Sequence, residues 1–296
     1  MALSDHVATL IANPANPCLT PDLAEQARQI VGASAVYFLA DGIACDLPLP
    51  DASTDWMPRL KDLLKDEPVD WVVQEADDRR KKALLADMDS TLIQQECIDE
   101  LAAEAGVGDK VADITARAMR GELEFEPALR ERVGLLKGLP VSIIDKVLAE
   151  RISLMPGGKQ LVATMNANGA YCALVSGGFT QFTSQIAATL GFDEHRANTF
   201  LVEGDVLAGE VIPPILGREA KIEALNDVVA RNSLETHDVI AVGDGANDLG
   251  MLNLAGSGVA LHAKPIVAEQ ARFRIDHGDL TALLYIQGYR KADFIE

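Results

Sequence analysis

Apolar and polar positions divide the chain into three regions with different periodicities. In the first, short runs of strand character at residues 7–11, 35–40, 43–47 and 69–74 alternate with two helical stretches. Thr20-Pro21-Asp22 marks a helix start, with Thr20 as N-cap and Pro21 at the first helical position, and this helix runs to Gly32. A second helix covers residues 57–64, and Asp41-Gly42 turns the two middle strands into a hairpin. The order β-α-β-β-α-β predicts an α+β module of ferredoxin-like type over residues 1–80. The charged run 75–82 reads as a linker.

The second region begins with Ala83-Leu84-Leu85-Ala86, too short for a typical helix and suited to a fully buried strand of a parallel sheet. After Thr91 only helical periodicity follows, over 94–105, 109–120, 125–136 and 141–150, punctuated by Gly106, Gly121 and Gly138-Leu139-Pro140. The third region returns to alternation. Helices are expected at 157–167, 179–190, 217–231 and 249–254, and strands at 171–175, 239–242, 258–261 and 273–275. A hairpin is expected between 197–202 and 206–212. The predicted fold is therefore α/β. A doubly wound, Rossmann-like parallel sheet spans residues 81–296. A helical-bundle cap, about 93–152, is inserted after its first strand and covers the carboxyl end of the sheet.

Length and charge narrow the functional classes. At 296 residues two units are a better prior than one, and 48% hydrophobic residues suffice for ordinary cores. A formal charge of −19 argues against nucleic-acid binding, which needs clustered Lys and Arg. It leaves an anionic small molecule open, provided local cations or a metal attract it. Cys18, Cys45, Cys97 and Cys172 form no metal-ligand spacing and suit reduced, mostly buried thiols. With no signal-peptide pattern and no apolar run near ~18 residues, a soluble cytoplasmic protein without membrane contact is expected.

Chemistry collects at strand ends. Asp87 and Asp89 follow the first parallel strand, separated by Met88, and two acids so close stay ionised only with a cation or a proton between them. Ser176-Gly177-Gly178 ends the next strand. Alone it reads as a structural turn, but its glycines also allow backbone N–H groups to approach an anion. Without a G-x-S-x-G context or a His partner, Ser176 reads as a phosphate donor and not as a nucleophile. In Gly243-Asp244-Gly245-Ala246-Asn247-Asp248, Asp244 and Asp248 either open a helix or, with Asp87, form an all-oxygen site for a hard cation such as Mg²⁺.

Lys221 lies on a helix with Ile222, Leu225 and Val228, where most lysines are solvated. Arg132 interrupts the apolar stripe Phe125, Leu129, Leu136, so it either snorkels or has an anionic partner; Arg130 lies off the stripe. Glu96, Glu100 and Glu104 repeat at i+4 steps and on spacing alone form one solvated face. The five histidines are scattered. Together the strand-end pieces make a phosphoryl-transfer site, with one carboxylate attacking phosphorus, a second handling the proton, and Mg²⁺ and Lys neutralising charge.

The motifs Asp87-Met88-Asp89-Ser90-Thr91, Ser176-Gly177-Gly178, Lys221 and Gly243–Asp248 resemble the four motifs of the haloacid-dehalogenase-type phosphatases. The resemblance runs from about Lys82 to the C-terminus. In Gln94-Gln95-Glu96-Cys97-Ile98-Asp99 and in Phe125 through Arg132 it narrows to the branch that acts on O-phospho-L-serine. It implies Asp87 as nucleophile and Asp89 as acid and base. It implies a Mg²⁺ site from Asp87, the Asp89 carbonyl and Asp244, supported by Asp248. Ser176, Gly177, Lys221 and Asn247 would bind phosphate. Glu96 would take the substrate ammonium and Arg132 its carboxylate, with Phe125 helping to close the lid. Asp89 itself separates phosphate-ester chemistry from dehalogenation. For the first 80 residues the resemblance implies only a variable region, in some relatives an amino-acid-binding regulatory module, here with a homodimer through it as a further expectation. Two rivals stay open: the same chemistry on another small phosphomonoester, and a catalytically silent amino-acid sensor.

Overall fold

The structure is a computed structural model that describes residues 5–120 and 122–296; Gly121, expected to punctuate the cap helices, lies outside them. The first region folds as β1 (His6–Ala12), α1 (Pro21–Val31), β2 (Tyr37–Ala40), β3 (Ala44–Leu49), α2 (Met57–Leu64) and β4 (Val69–Glu75). Its sheet is antiparallel in the order β2-β3-β1-β4, the ferredoxin-like arrangement. The Thr20 side chain caps α1 by accepting the Leu23 N–H at 3.2 Å, and Gly32 ends the helix in the left-handed conformation.

Both faces of this sheet are covered. Leu10 and Leu47 pack with Leu23 and Leu60 of the module's own helices. Ile11, Leu39 and Val72 on the other face share one core with Leu283, Tyr285, Ile286 and Tyr289 near the C-terminus. Hence β1 is a nearly unbroken apolar run and not an alternating one. The run 75–82, expected as a linker, is tied down along its length. Arg79 pairs with Asp46, the Arg80 guanidinium lies 4.3 Å from the Tyr289 ring centroid, and the Lys81 N–H donates to Gln287 Oε1 at 2.9 Å.

The rest of the chain builds a six-stranded parallel sheet. Its strands are β5 (Ala83–Ala86), β6 (Tyr171–Phe179), β7 (Glu194–Asn198), β10 (Val239–Gly243), β11 (Ser257–Leu261) and β12 (Phe273–Ile275), in the order β12-β11-β10-β5-β6-β7. One face carries α7 (Gly158–Ala167), α8 (Thr180–Leu190) and α12 (Ala282–Ile286). The other carries α9 (Arg218–Arg231) and α10 (Leu249–Leu254), while α11 (Pro265–Ala268) follows β11. Between β5 and α7 stand the cap helices α3 (Cys97–Glu104), α4 (Gly108–Met119), α5 (Phe125–Gly134) and α6 (Ser142–Glu150). Among the described residues no helix is long and apolar enough to cross a membrane.

Three elements differ from their expected form. β6 continues through Ser176-Gly177-Gly178 to Phe179, with its pairing to β7 shifted between Val175 and Phe179; these glycines sit in an irregularity inside the strand and not in a turn after it. Residues 197–198 belong to β7, so the hairpin is β8 (Phe200–Glu203) with β9 (Val206–Val211). It is stitched to the cap where Gly138 donates to Leu207 O at 2.8 Å and Val141 to Asp205 O at 2.9 Å. The first cap helix starts at Cys97 because the Gln94 N–H is taken by Ser153 O at 3.0 Å and Glu96 is extended.

Candidate active site

β5 is the strand at which the sheet order turns, with β6 on one side and β10 on the other. Such a switch point leaves a crevice beyond the carboxyl ends of the strands. Asp87 stands directly after β5, its N–H donating to Val242 O at 3.0 Å. The chain then folds back tightly, with the N–H groups of Thr91, Leu92 and Ile93 all directed to Met88 O at 2.9–3.2 Å. Met88 and Leu92 are fully buried and anchor this loop in the core.

A cavity of about 640 Å³ opens over these strand ends. Asp87, Asp89, Ser176, Gly177, Asp244 and Asn247 line it from the sheet side, and Glu96, Phe125 and Arg132 from the cap side. Lys221 and Asp248 are not in its wall. They stand behind Asp87, with Lys221 Nζ 2.7 Å from Asp87 Oδ1 and also bonded to Asp248. The lysine, read from spacing as most often solvated, is 2% exposed. Burial opposes its charge, but the two carboxylates outweigh burial and raise its pKa.

Asp87 is pushed well up by burial and by the Asp248 charge, against the pull of Lys221. Asp244 rises to about 6 through burial and then through Asp248 and Glu96. One carboxylate oxygen from each of Asp87, Asp244 and Asp248 lies within 4.8 Å of the others. Three crowded acids with a single ammonium among them are an all-oxygen donor set short of positive charge, which fits a hard divalent cation. The Asp89 side chain is outside this trio.

Asp89 is held instead by the start of the cap, its Oδ1 accepting the Cys97 N–H at 2.8 Å. Burial, then the Glu96 charge, lifts its pKa to about 7. Gly178 is required beside it, since a Cβ there would stand 2.8 Å from Asp89 Oδ2 and 3.0 Å from Ser176 Oγ. Ser176 Oγ accepts the Gly178 N–H at 2.9 Å and so retains its own O–H as a donor.

On the cap side, the glutamate ladder is split. Glu100 pairs with Arg151, and Glu104 with Lys146 and Arg151. Glu96 precedes the helix and accepts the Ser90 O–H at 2.9 Å, inside the cavity wall. The three therefore do not form one solvated face: Glu100 and Glu104 are half-buried in ion pairs, and Glu96 stands apart at the cavity. Arg132 is partly buried and, among the described residues, has no ion pair; Nε donates to Ala128 O at 3.3 Å. Burial lowers its pKa, while Asp99 and Glu96 oppose this. Arg130 is exposed and paired with Glu126. Phe125 is 39% exposed, with its ring against Gly177.

Ser90, Cys97, Asp99, Thr115 and Lys264 also border this chemistry and were not singled out from sequence. Ser90, Cys97 and Asp99 stand within the motifs quoted above, and Lys264 carried a signal as a lysine just past a strand end and before Pro265.

An acid pair, a metal-suited trio and a capped cavity at a switch point define a hydrolase of the phosphoryl-transfer type. The family model for haloacid dehalogenase-like hydrolases matches residues 84–253, and the chain belongs to that family. Within it, the protein named phosphoserine phosphatase from Streptococcus thermophilus is 48% identical over 206 residues, 70% of this chain and 95% of its own. The phosphoserine phosphatase of Streptomyces coelicolor is 44% identical over 215 residues, 73% of this chain but only 52% of its own length. The unliganded crystal structure of a probable phosphoserine phosphatase from Vibrio cholerae matches with a TM-score of 0.79 at 30% identity, covering 98% of this chain and 88% of that one.

Proposed function

We propose that the protein is a Mg²⁺-dependent phosphatase that converts O-phospho-L-serine to L-serine and phosphate, the last step of serine biosynthesis. The observation that carries this reading is the two-sided cavity. Asp87 and Asp89 meet the phosphate end, while Glu96 and Arg132, which has no ion pair among the described residues, offer both signs of charge to an amino-acid end. The name shared by the relatives above supports the same substrate.

An Asp87 carboxylate oxygen forms a bond to phosphorus as the bond from phosphorus to the serine oxygen breaks, and Asp89 gives its proton to that oxygen. The deprotonated Asp89 then takes a proton from a water that attacks the aspartyl-phosphate, freeing phosphate and restoring Asp87. Ser176, Gly177 and Asn247 hold the phosphate oxygens from the cavity wall, and Lys221 binds phosphate charge from behind Asp87. Glu96 receives the ammonium and Arg132 the carboxylate, and Phe125 closes the cap over them. Asp87, Asp244, Asp248 and the Asp89 carbonyl would hold Mg²⁺, which when bound offsets phosphate charge.

The test is phosphate release from O-phospho-L-serine and from a panel of other small phosphomonoesters, with Mg²⁺ and after chelation. The reading expects the highest kcat/KM for phosphoserine and loss of activity without metal. A better substrate elsewhere in the panel assigns the same chemistry to another ester. No turnover at all leaves a silent sensor.

A further inference from the structure

The cavity has a charge problem that the residues discussed so far do not solve. A cation held by Asp87 and Asp244 would offset those two, but Asp89, Glu96 and Asp99 also line it, in a chain of net charge −19. A phosphomonoester arriving as a dianion meets a repulsive mouth. Lys221 cannot help it arrive, because its ammonium is buried behind Asp87 and bonded to two carboxylates. Arg132 is on the cap side. Among the described residues the only other cation in the cavity wall is Lys264.

Lys264 is placed as an entry residue would be. It follows β11, the strand beside β10, and its own N–H donates to Asp244 O at 3.3 Å. Pro265 restricts its backbone, which is extended at φ −57°, ψ 146°. Its side chain is exposed and, among the described residues, no ion pair holds it, although acids share the cavity wall with it. A cation with no ion pair among the described residues, at the rim of an acidic cleft, focuses the field where the anion enters. We infer that Lys264 is a substrate-steering residue, which raises the capture of dianionic phosphomonoesters without taking part in the chemical steps.

This rests on the phosphatase reading, and the experiment separates the two. Lys264→Gln, Lys264→Glu and Lys264→Arg are compared with the unaltered enzyme, with Mg²⁺ present, on O-phospho-L-serine and on p-nitrophenyl phosphate. Salt is varied from about 10 mM to about 150 mM, over which the screening length falls from roughly 30 Å to roughly 8 Å. At low salt Lys264→Gln should lose roughly threefold to tenfold in kcat/KM and Lys264→Glu more, on both substrates, with kcat within about twofold. Lys264→Arg should match the unaltered enzyme, and the losses should shrink as salt rises. A salt-independent loss, a fall in kcat, a loss confined to phosphoserine, no loss at all, or unfolding of Lys264→Gln would each overturn the inference. If the unaltered enzyme ignores phosphoserine but cleaves p-nitrophenyl phosphate with the expected Lys264 pattern, the substrate reading fails and the steering role stands.

Discussion

Lys221 Nζ lies 2.7 Å from Asp87 Oδ1, with the two side chains 2% and 7% exposed. The lysine is thus a buried counter-ion as well as a candidate phosphate ligand. It also bonds Asp248, whose Oδ2 accepts the Gly245 N–H at 2.9 Å, so one ammonium ties α9 to the ends of β5 and β10.

Removing it leaves two buried carboxylates unpaired. Breaking a buried pair by deleting one partner costs about 3–5 kcal/mol. Lys221→Met should lower the unfolding free energy obtained from urea titration by that amount and abolish turnover. A stable, inactive variant would confine Lys221 to phosphate binding and contradict its structural role.

Arg132 and Glu96 should read the amino-acid part of the substrate. Charged hydrogen bonds of this kind are worth about 1.5–3 kcal/mol each, roughly tenfold to 150-fold in kcat/KM. Arg132→Ala and Glu96→Gln should each lose at least that on phosphoserine and far less on p-nitrophenyl phosphate, which lacks both groups. An unchanged ratio of the two kcat/KM values would remove both residues from specificity.

These two residues also show how far the sequence could be read. The strand-end carboxylates were legible because a short apolar run followed by acids has few other meanings in an α/β chain. Arg132 was legible as an interruption of an apolar stripe. To spacing alone Glu96 was hidden by its i+4 relation to Glu100 and Glu104, and only the motif resemblance picked it out, because the helix start depends on a hydrogen bond from Gln94 to Ser153, far away in sequence. Burial of Lys221 was hidden for the same reason: its partners come from other strands. The ferredoxin-like order of the first region was legible from periodicity, but not that its second face is covered by residues near the C-terminus.

The acid trio should make the fold itself respond to metal. A ligand bound only to the native state at about 100 times its Kd adds about 2.7 kcal/mol, a rise of several degrees in Tm for a chain of this size. Mg²⁺ should raise Tm in the unaltered protein, and Asp244→Asn should lose most of that rise. Equal shifts in both would place the metal elsewhere.

The first region should be inseparable from the rest. The Asp70 carboxylate accepts the N–H groups of Asp276, His277 and Gly278 at 2.8, 3.0 and 2.7 Å, and Gln74 Nε2 donates to Ile286 O at 2.6 Å. Leaving a buried N–H such as that of Gly278 unpaired costs about 1–3 kcal/mol, so Asp70→Ala should lower Tm measurably. A fragment beginning near Arg80 exposes the core around Tyr285 and Tyr289 and should aggregate. A soluble, fully active fragment with unchanged Tm would show that the module is an independent attachment.

The central claim is that phosphate passes through Asp87, and the most direct measurement is turnover of O-phospho-L-serine by Asp87→Asn, checked by mass spectrometry to exclude deamidation. An amide cannot form the acyl-phosphate, so steady phosphate release should fall to background while the fold persists by circular dichroism. Sustained turnover by the verified Asn protein at a substantial fraction of the normal rate would contradict the account.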